Sequence, residues 1–338
     1  MSLNNSIASN VLKKLGDQAG SMKTLVSLVL ERLQKAMAKF PRIPGALGLT
    51  KVLVAFSAIY TLNKALTHRV VGGRDAKNAF KRGEEIILIT GGSSGMGLVM
   101  AEMFAKQGIK VAVIDINGPK GTLPAGVKFY QGDVTSPESL HKAAESIRYD
   151  LGHPSVIINN AGLLNLGSII NIDPAKVQRL LNVNVTALFL VSKEFLPAMV
   201  ERNHGHVVTI ASMASYVAIA GMVDYAASKA AALAFHEGLT QELKHRYDAP
   251  RIRTTVVNPS WVRTPMTAEI ARHATIKGPM IEPDTVASAV VKQVISGRGG
   301  QLMLPWDISY LASLRGFPIW LQEYFRSTNA GILHWTHV

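Results

Sequence analysis

The strongest constraint on this chain is a glycine-rich turn that joins a short apolar run directly to a helical pattern. Residues 86–90 are apolar or β-branched, residues 90–97 read TGGSSGMG, and residues 98–106 carry apolar side chains at helical spacing. Glycines in such a strand-to-helix turn let the backbone approach a pyrophosphate, and the helix N-terminus offers free N–H groups. The sequence therefore predicts a nucleotide-binding βαβ unit whose turn contacts the cofactor through Gly91, Ser93, Ser94, Gly95, Met96 and Gly97.

Apolar runs continue to alternate with helical patterns from Glu84 to Leu304. This alternation is typical of a parallel sheet whose strands are joined by crossover helices. The sequence therefore predicts an α/β domain with a doubly wound, parallel, seven-stranded sheet and helices on both faces. The predicted strands cover residues 86–90, 110–115, 127–131, 155–159, 206–211, 251–257 and 301–304.

The second predicted strand ends in an acidic residue, Asp115, eighteen residues after Gly97. A carboxylate at this place accepts hydrogen bonds from the ribose hydroxyls of NAD and repels the 2′-phosphate of NADP. Neither the glycine turn nor the residues next to Asp115 include an Arg or Lys that would receive such a phosphate. We therefore expect NAD as the cofactor. NADP stays open as an alternative, as does a role for Asp115 as a simple strand-end cap.

A tyrosine and a lysine four residues apart, Tyr225 and Lys229, share one face of an alanine-rich helical stretch. An ammonium group near a phenol favours the phenolate, so this spacing predicts a lowered pKa for Tyr225. Such a phenol exchanges a proton with an alcohol while a hydride moves to or from a nicotinamide. Ser212 ends the fifth predicted strand, where a hydroxyl donates to the substrate oxygen. An ordinary amphipathic helix remains the alternative for the Tyr–Lys pair alone.

With these motifs in this order, residues 84–304 resemble the short-chain dehydrogenase/reductase family. The resemblance implies a Rossmann sheet, a catalytic set of Tyr225, Lys229, Ser212 and Asn184, and Lys229 as a further contact to the nicotinamide ribose. It implies that Asn184 extends a proton relay and that Asp133 contacts adenine. It implies cofactor contacts for the remaining matched positions, which are Val134, Asn160, Ala161, Gly162 and Thr264.

A narrower resemblance covers residues 195–199 and 203–208 and the basic, apolar N-terminus. These segments resemble the microsomal and lipid-droplet branch, whose members interconvert lipid alcohols such as retinoids and hydroxysteroids with their carbonyl forms. The resemblance implies a lipophilic small-molecule substrate and a homodimer as one assembly. Two alternatives stay open at this point. One is an NADP-linked ketoreductase of a biosynthetic pathway, and the other is a membrane scaffold that binds nucleotide without catalysis.

The positive charge of the chain is concentrated in residues 1–82. This segment has fourteen basic and three acidic residues, so it carries +11 of the net charge of +13. Residues 21–40 combine an apolar helical face with basic side chains, and Val52–Leu62 is a second apolar run. We expect this extension to associate with a membrane surface, at the endoplasmic reticulum or a lipid droplet, with a cytosolic catalytic domain. Packing on the body is the alternative. Nucleic acid is not expected, because the basic residues are interleaved with aliphatic side chains rather than with stacking aromatics.

The last segment, residues 305–338, is rich in aromatic side chains, and Gly316 and Pro318 divide it into two predicted short helices. We expect it to cap an apolar substrate channel or to meet a membrane, with packing on the sheet as the alternative. Residues 265–282 are the predicted substrate loop. The sequence has no cysteine, so thiolate metal sites and disulfides are excluded, and no metal site is expected. The predicted domains are therefore 1–82, 83–304 and 305–338.

Overall fold

The structure is a computed structural model that describes residues 46–71, 80–273, 280–329 and 331–333 of the 338-residue chain. The predicted helix over residues 21–40 lies outside the described residues. The second apolar run lies within a helix of 25 residues, α1 (Ala46–Val70). The chain divides into two compact units between Thr67 and His68. Within the first unit, Val54, Ile59 and Tyr60 of α1 are more than half exposed.

The second unit is built on a seven-stranded sheet in which every neighbouring pair is parallel, in the order β3-β2-β1-β4-β5-β6-β7. This confirms the predicted doubly wound sheet. The buried runs were located to within two residues, because strands covered on both faces are apolar along their whole length. The strands are β1 (Ile86–Thr90), β2 (Lys110–Asp115), β3 (Val127–Gln131), β4 (Val156–Asn159), β5 (Gly205–Ile210), β6 (Ile252–Pro259) and β7 (Gly300–Leu304).

Helices cover both faces of the sheet and bury two separate apolar cores. One core packs α2 (Gly95–Ala105) and α8 (Pro283–Ile295) on the sheet, and Phe104 of α2 is fully buried there. The other core packs three helices on the opposite face, namely α3 (Pro137–Asp150), α5 (Ala187–Arg202) and α6 (Val223–His245). The remaining helices are α4 (Pro174–Leu181), α7 (Ala268–His273) and α9 (Ile319–Thr328).

Among the described residues, one stretch, Pro174–Arg202, has the length and hydropathy of a membrane-crossing helix. It consists of α4, a π-helical turn over Asn182–Thr186, and α5. Phe195 and Met199 of this stretch are buried in the core beneath the sheet. The stretch is therefore a core element of the second unit.

The predicted site residues are brought together at the carboxyl edge of the sheet. The glycine turn follows β1, Asp115 ends β2, Asn160 follows β4 and Ser212 follows β5. The chain order reverses between β1 and β4, and open α/β sheets bind ligands in the crevice at such a reversal. The fold therefore creates a nucleotide crevice next to the end of β5.

Candidate active site

Gly91 and Gly97 of the turn lie so close to neighbouring residues that no side chain would fit at either position. A Cβ atom on Gly91, which has φ +64°, would lie 2.8 Å from the Cα atom of Ala161. A Cβ atom on Gly97 would overlap the Gly91 carbonyl oxygen and lie 2.6 Å from Nδ2 of Asn160. The glycines are required because the turn is pressed against the segment after β4.

The segment after β4 holds the glycine turn through hydrogen bonds. Nδ2 of Asn160 donates to the carbonyl oxygens of Thr90 at 3.0 Å and Gly91 at 2.9 Å. The Thr90 hydroxyl oxygen accepts from the backbone N–H groups of Asn160 and Ala161, both at 3.1 Å. Asn160 and Ala161 therefore fix the shape of the turn, and their contact with a cofactor stays a prediction.

The turn also presents groups that suit a dinucleotide. Oδ2 of Asp115 accepts from the Ser93 N–H at 3.1 Å, which holds the carboxylate beside the turn. Among the described residues, the buried Ser93 hydroxyl has no hydrogen-bond partner. Ser94 stands at the N-cap of α2 and its side chain caps no backbone N–H, so the helix start keeps donors for a phosphate. A narrow cradle, an unpartnered hydroxyl and a carboxylate at the strand end fit an adenine dinucleotide.

Of three further predicted cofactor contacts, one lies next to the glycine turn. Thr264 is next to Gly95, with its Cγ2 atom 3.7 Å from the place of a Cβ atom on that glycine. Oδ1 of Asp133 accepts from the backbone N–H and the hydroxyl of Thr135, at 2.8 Å and 2.7 Å, so this oxygen shapes its own turn. Val134 is buried in the core. The adenine contact of Asp133 stays a prediction.

The predicted catalytic groups meet at one place. Tyr225 and Lys229 lie one turn apart on α6, and the Lys229 ammonium is 5.7 Å from the centroid of the Tyr225 ring. Lys229 Nζ donates to the carbonyl oxygen of Ile210, at the end of β5, at 2.9 Å. The Ser212 hydroxyl, two residues further on, donates to the Pro259 carbonyl oxygen at 3.4 Å, and it lies close enough to Tyr225 to influence the pKa of that phenol. Ser212 also accepts from the N–H of Ala214 at 3.1 Å, which fixes its hydroxyl.

Burial changes the proton affinities of this pair. It raises the pKa of Tyr225 to about 12, against the smaller opposing effect of the nearby Ser212 hydroxyl. It lowers the pKa of Lys229 to about 8. The lowered Tyr225 pKa predicted from the Tyr–Lys spacing is therefore wrong for this structure. The reason is that removing the phenolate from water outweighs the attraction of a lysine that bonds elsewhere.

Asn184 lies in the π-helical turn between α4 and α5 and is almost fully buried. Its Oδ1 atom accepts from the Leu163 N–H at 2.7 Å, and its Nδ2 atom donates to the Leu163 carbonyl oxygen at 2.9 Å. Nδ2 also donates to the Ser228 hydroxyl at 2.9 Å. Asn184 and Lys229 both lie beside Gly162. A Cβ atom on this glycine would be 3.4 Å from Asn184 Oδ1 and 3.7 Å from Lys229 Nζ. The Asn184 side chain thus clamps the loop after β4, and its part in a proton relay stays a prediction.

A cavity of about 260 Å³ opens on these groups. Its polar lining includes Ser212, Tyr225 and Lys229. Most of the remaining lining is apolar and comes from several segments, including Met96, Leu164, Met213, Val217, Ile219, Met222, Trp261 and Met266. A cavity with mostly apolar walls that also holds these polar groups suits a lipophilic molecule with a reacting oxygen.

The C-terminal segment closes part of this cavity. It forms a 3₁₀ helix over Trp306–Gly316 and then α9, so the predicted break at Gly316 and Pro318 is confirmed. Ile308, Leu311, Asn329 and Ile332 line the cavity. Of the predicted substrate loop, Met266 lines the cavity, whereas Ile270 is buried in a cluster with Met222, Ile332 and Leu333.

Comparison with known proteins agrees with this geometry. Residues 85–275 match the family model described as short chain dehydrogenase. The chain belongs to the short-chain dehydrogenase/reductase family. Members of this family use NAD(H) or NADP(H), and the chain is an oxidoreductase that acts on alcohol or ketone groups.

The short-chain dehydrogenase has named relatives among fungal and mammalian proteins. It is 37% identical over 227 residues to "Dehydrogenase RED2" of Cochliobolus heterostrophus, which covers 67% of this chain and 84% of the relative. It is 33% identical over 238 residues to human "Estradiol 17-beta-dehydrogenase 11", covering 68% of this chain and 78% of the relative. A bovine short-chain dehydrogenase/reductase family 16C member 6 is 34% identical over 220 residues, covering 62% of this chain and 69% of the relative.

Solved structures of short-chain dehydrogenases share the same fold. Actinorhodin polyketide ketoreductase with NADPH superposes with a TM-score of 0.60 at 25% identity, covering 69% of this chain and 98% of that one. The 3-ketoacyl-(acyl-carrier-protein) reductase of Brucella melitensis, complexed with NADH, gives a TM-score of 0.58 at 23% identity, covering 65% of this chain and 96% of that one. One of these neighbours holds NADH and the other NADPH, so the shared fold does not determine which of the two cofactors this chain uses.

Sequence reasoning missed several residues at the site of this short-chain dehydrogenase. Trp261 and Ile332 line the cavity, and Asn165 and Asp224 form a hydrogen bond beside the start of α6. For Asn165 and Asp224, the one available signal in the sequence was the position of Asp224 directly before Tyr225. Nothing in the sequence indicated its partner, which is 59 residues away along the chain.

Proposed function

We propose that this short-chain dehydrogenase is a membrane-associated enzyme that transfers a hydride between NAD(H) and a lipophilic alcohol or its carbonyl form. The observation that carries the proposal is the largely apolar cavity whose lining also includes Ser212, Tyr225 and Lys229. The relatives support the substrate class, because one is named for estradiol, a lipophilic secondary alcohol at its 17-position.

In the proposed reaction, the residues of the chain orient the substrate oxygen and move its proton. Ser212, held by the Ala214 N–H, donates to the substrate oxygen, and the Tyr225 hydroxyl exchanges the proton with that oxygen. The bound nicotinamide supplies or accepts the hydride. Lys229 lies beside the Tyr225 ring, and its positive charge favours the phenolate that forms when the proton leaves. The apolar walls exclude water from the corner where the proton moves.

Asp115 supports NAD as the preferred cofactor. Its carboxylate is fixed beside the glycine turn by the N–H groups of Ser93 and Asn117, at 3.1 Å and 3.2 Å. A ribose 2′-hydroxyl next to this carboxylate donates a hydrogen bond, whereas a 2′-phosphate is repelled. The residues that would hold the cofactor are those of the glycine turn, Asp115 and Lys229.

We propose that the membrane contact involves the outer face of the C-terminal segment. While Ile308 and Leu311 line the cavity, exposed apolar side chains of the same segment point away from the fold. Trp and Tyr are favoured at membrane interfaces, where a ring is apolar and its edge polar. The location at the endoplasmic reticulum or a lipid droplet is part of this proposal. The exposed side chains are Trp306, Tyr310, Phe317, Ile319, Trp320 and Tyr324.

A homodimer is the proposed assembly. Phe189 of α5 is 56% exposed and packs edge-on against Phe235 of α6, with 5.0 Å between the ring centroids. An exposed aromatic ring that packs on a half-buried one from the adjacent helix suits a symmetric contact between two copies. Light scattering on the purified chain and on Phe189→Asp tests it. A dimer that the variant dissociates is expected, and a monomeric wild-type chain would overturn it.

The proposed activity is tested with the purified full chain in detergent, with NAD⁺ and either estradiol or a long-chain secondary alcohol. NADH formation is expected with at least one of the two, and acetate or lactate should give none. The alternative, an NADP-linked biosynthetic ketoreductase, is tested by comparing the rates of ketone reduction with NADPH and with NADH. That enzyme would be faster with NADPH. A chain that binds NADH tightly but turns over neither alcohol nor ketone would favour the scaffold instead.

A further inference from the structure

The helix that carries Tyr225 begins without an ordinary N-cap. Residue 222, at the cap position of α6, is a methionine, and no side chain there accepts a backbone hydrogen bond. The first N–H groups of a helix have no carbonyl partner in the helix backbone, so they need another acceptor, such as a side chain. Asp224 provides one, because its Oδ1 atom accepts from the Tyr225 N–H at 2.8 Å.

The second oxygen of the same carboxylate is bound from another part of the chain. Oδ2 of Asp224 accepts from Nδ2 of Asn165 at 2.8 Å. Asn165 lies in the loop after β4, and its Nδ2 atom also donates to the carbonyl oxygen of Lys176 in α4, at 3.1 Å. One amide group therefore joins the start of α6 to α4.

The loop around Asn165 is itself held at both ends. Leu163 is clamped by Asn184 through both its N–H and its carbonyl oxygen. The N–H of Gly167 donates to the carbonyl oxygen of Gly221 at 2.9 Å, directly before α6. The loop therefore has little freedom to move relative to the residue before Tyr225.

We propose that Asn165 and Asp224 are a pair of positioning residues that fix Tyr225 against Ser212. The proposal rests on the proposed function, because it assigns a task to the residues around the proposed proton donor. The pair acts through the backbone of Tyr225 and touches no substrate. Breaking it lets the first turn of α6 shift, so the phenol no longer meets the substrate oxygen at hydrogen-bond distance.

A swap of the two side chains distinguishes positioning from folding. Asn165→Ala removes the donor, and Asp224→Asn places two amide N–H groups against each other. The double variant Asn165→Asp/Asp224→Asn restores an amide facing a carboxylate without changing the net charge. Its reference is Asn165→Asp alone, because both variants lose the bond to the Lys176 carbonyl oxygen. We expect kcat to fall at least about tenfold in each single variant, with KM for NAD⁺ unchanged, and to be higher in the double variant than in Asn165→Asp alone. Asn171→Ala, on the same loop and exposed, is the matched control with wild-type kcat.

A second readout is independent of turnover. The full chain is labelled with 3-fluorotyrosine, and the ¹⁹F resonance of Tyr225 is assigned from its loss in Tyr225→Phe. We expect this resonance to shift or broaden in Asn165→Ala and to return in the double variant, while the other tyrosine resonances stay in place. An unmoved Tyr225 resonance in Asn165→Ala, or a double variant no better than the singles in both readouts, would overturn the positioning role. If the wild-type chain shows no turnover but the Tyr225 resonance still shifts in Asn165→Ala, the proposed function is overturned and the positioning role of the pair is supported.

Discussion

The ammonium of Lys229 lies 5.7 Å from the centroid of the Tyr225 ring and donates to the Ile210 carbonyl oxygen at 2.9 Å. The lysine is thus anchored to the end of β5, within reach of the phenol. Since burial lowers its pKa to about 8 and raises that of Tyr225 to about 12, Lys229 loses its proton first as the pH rises. The charge that favours the phenolate is therefore present below about pH 8.

This order of titration predicts a pH profile for carbonyl reduction. We expect kcat/KM to be flat below about pH 8 and to fall above it, because the neutral amine no longer favours a negatively charged oxygen nearby. Lys229→Arg keeps its charge at these pH values, so its remaining activity should show no fall near pH 8. A wild-type profile that stays flat up to about pH 10 would contradict this role of Lys229.

Replacement of Asp115 is expected to change cofactor selectivity. Asp115→Asn keeps an oxygen acceptor for the Ser93 N–H but removes the charge that repels a 2′-phosphate. The ratio of kcat/KM with NAD⁺ to that with NADP⁺ should fall at least about tenfold, which corresponds to about 1.4 kcal/mol. Initial rates with both cofactors measure this ratio. If the wild-type enzyme already prefers NADP⁺, the assignment of Asp115 is wrong.

Two buried histidines, His206 and His236, predict a loss of stability in acid. Burial lowers the pKa of His206 to about 3 and that of His236 to about 4. Between these values and the ordinary 6.5, only the unfolded chain takes up these protons, so the free energy of unfolding falls as the pH falls. Each histidine contributes about 1.4 kcal/mol per pH unit in this window.

Urea unfolding at several pH values tests this prediction. His206→Gln and His236→Gln should each reduce the slope of stability against pH between about pH 6 and 5. His245→Gln is the control, because it replaces an exposed histidine at the end of α6. An equal slope in all three variants would show that other groups cause the acid sensitivity.

Much of the fold was predictable because parallel strands buried on both faces are marked by short apolar runs. β1, β2 and β3 were located to the residue, and the order of motifs along the chain identified the glycine turn and the Tyr–Lys pair. The π-helical turn around Asn184 was not predictable, because a single widened turn has the same apolar spacing as the helices on either side.

The direction of the Tyr225 pKa and the walls of the cavity depend on tertiary contacts. The Tyr–Lys spacing indicates two side chains on one helix face, but the surrounding burial is set by segments far away in the chain. Ile332 and Leu333 belong to the same apolar cluster as Tyr225. Such long-range packing leaves no local signal in the sequence.

The size of the side chain at position 332 is expected to limit the substrate. Ile332 lines the cavity and is only 7% exposed. Ile332→Ala should raise kcat/KM for bulky alcohols relative to small ones, and Ile332→Phe should do the opposite. Ile319→Ala is the control, since Ile319 is 72% exposed on the outer face of the segment. Selectivity that is the same in all three variants would place the substrate away from this wall.

In the proposed reaction, Tyr225 exchanges the proton of a lipophilic alcohol at the carboxyl edge of the sheet. The most direct test is the rate of NADH formation from such an alcohol by the wild-type chain and by Tyr225→Phe, with thermal unfolding and NADH binding measured on both. We expect the variant to keep its fold and its cofactor affinity and to lose at least about a hundredfold in kcat. A Tyr225→Phe enzyme with wild-type kcat would contradict the account.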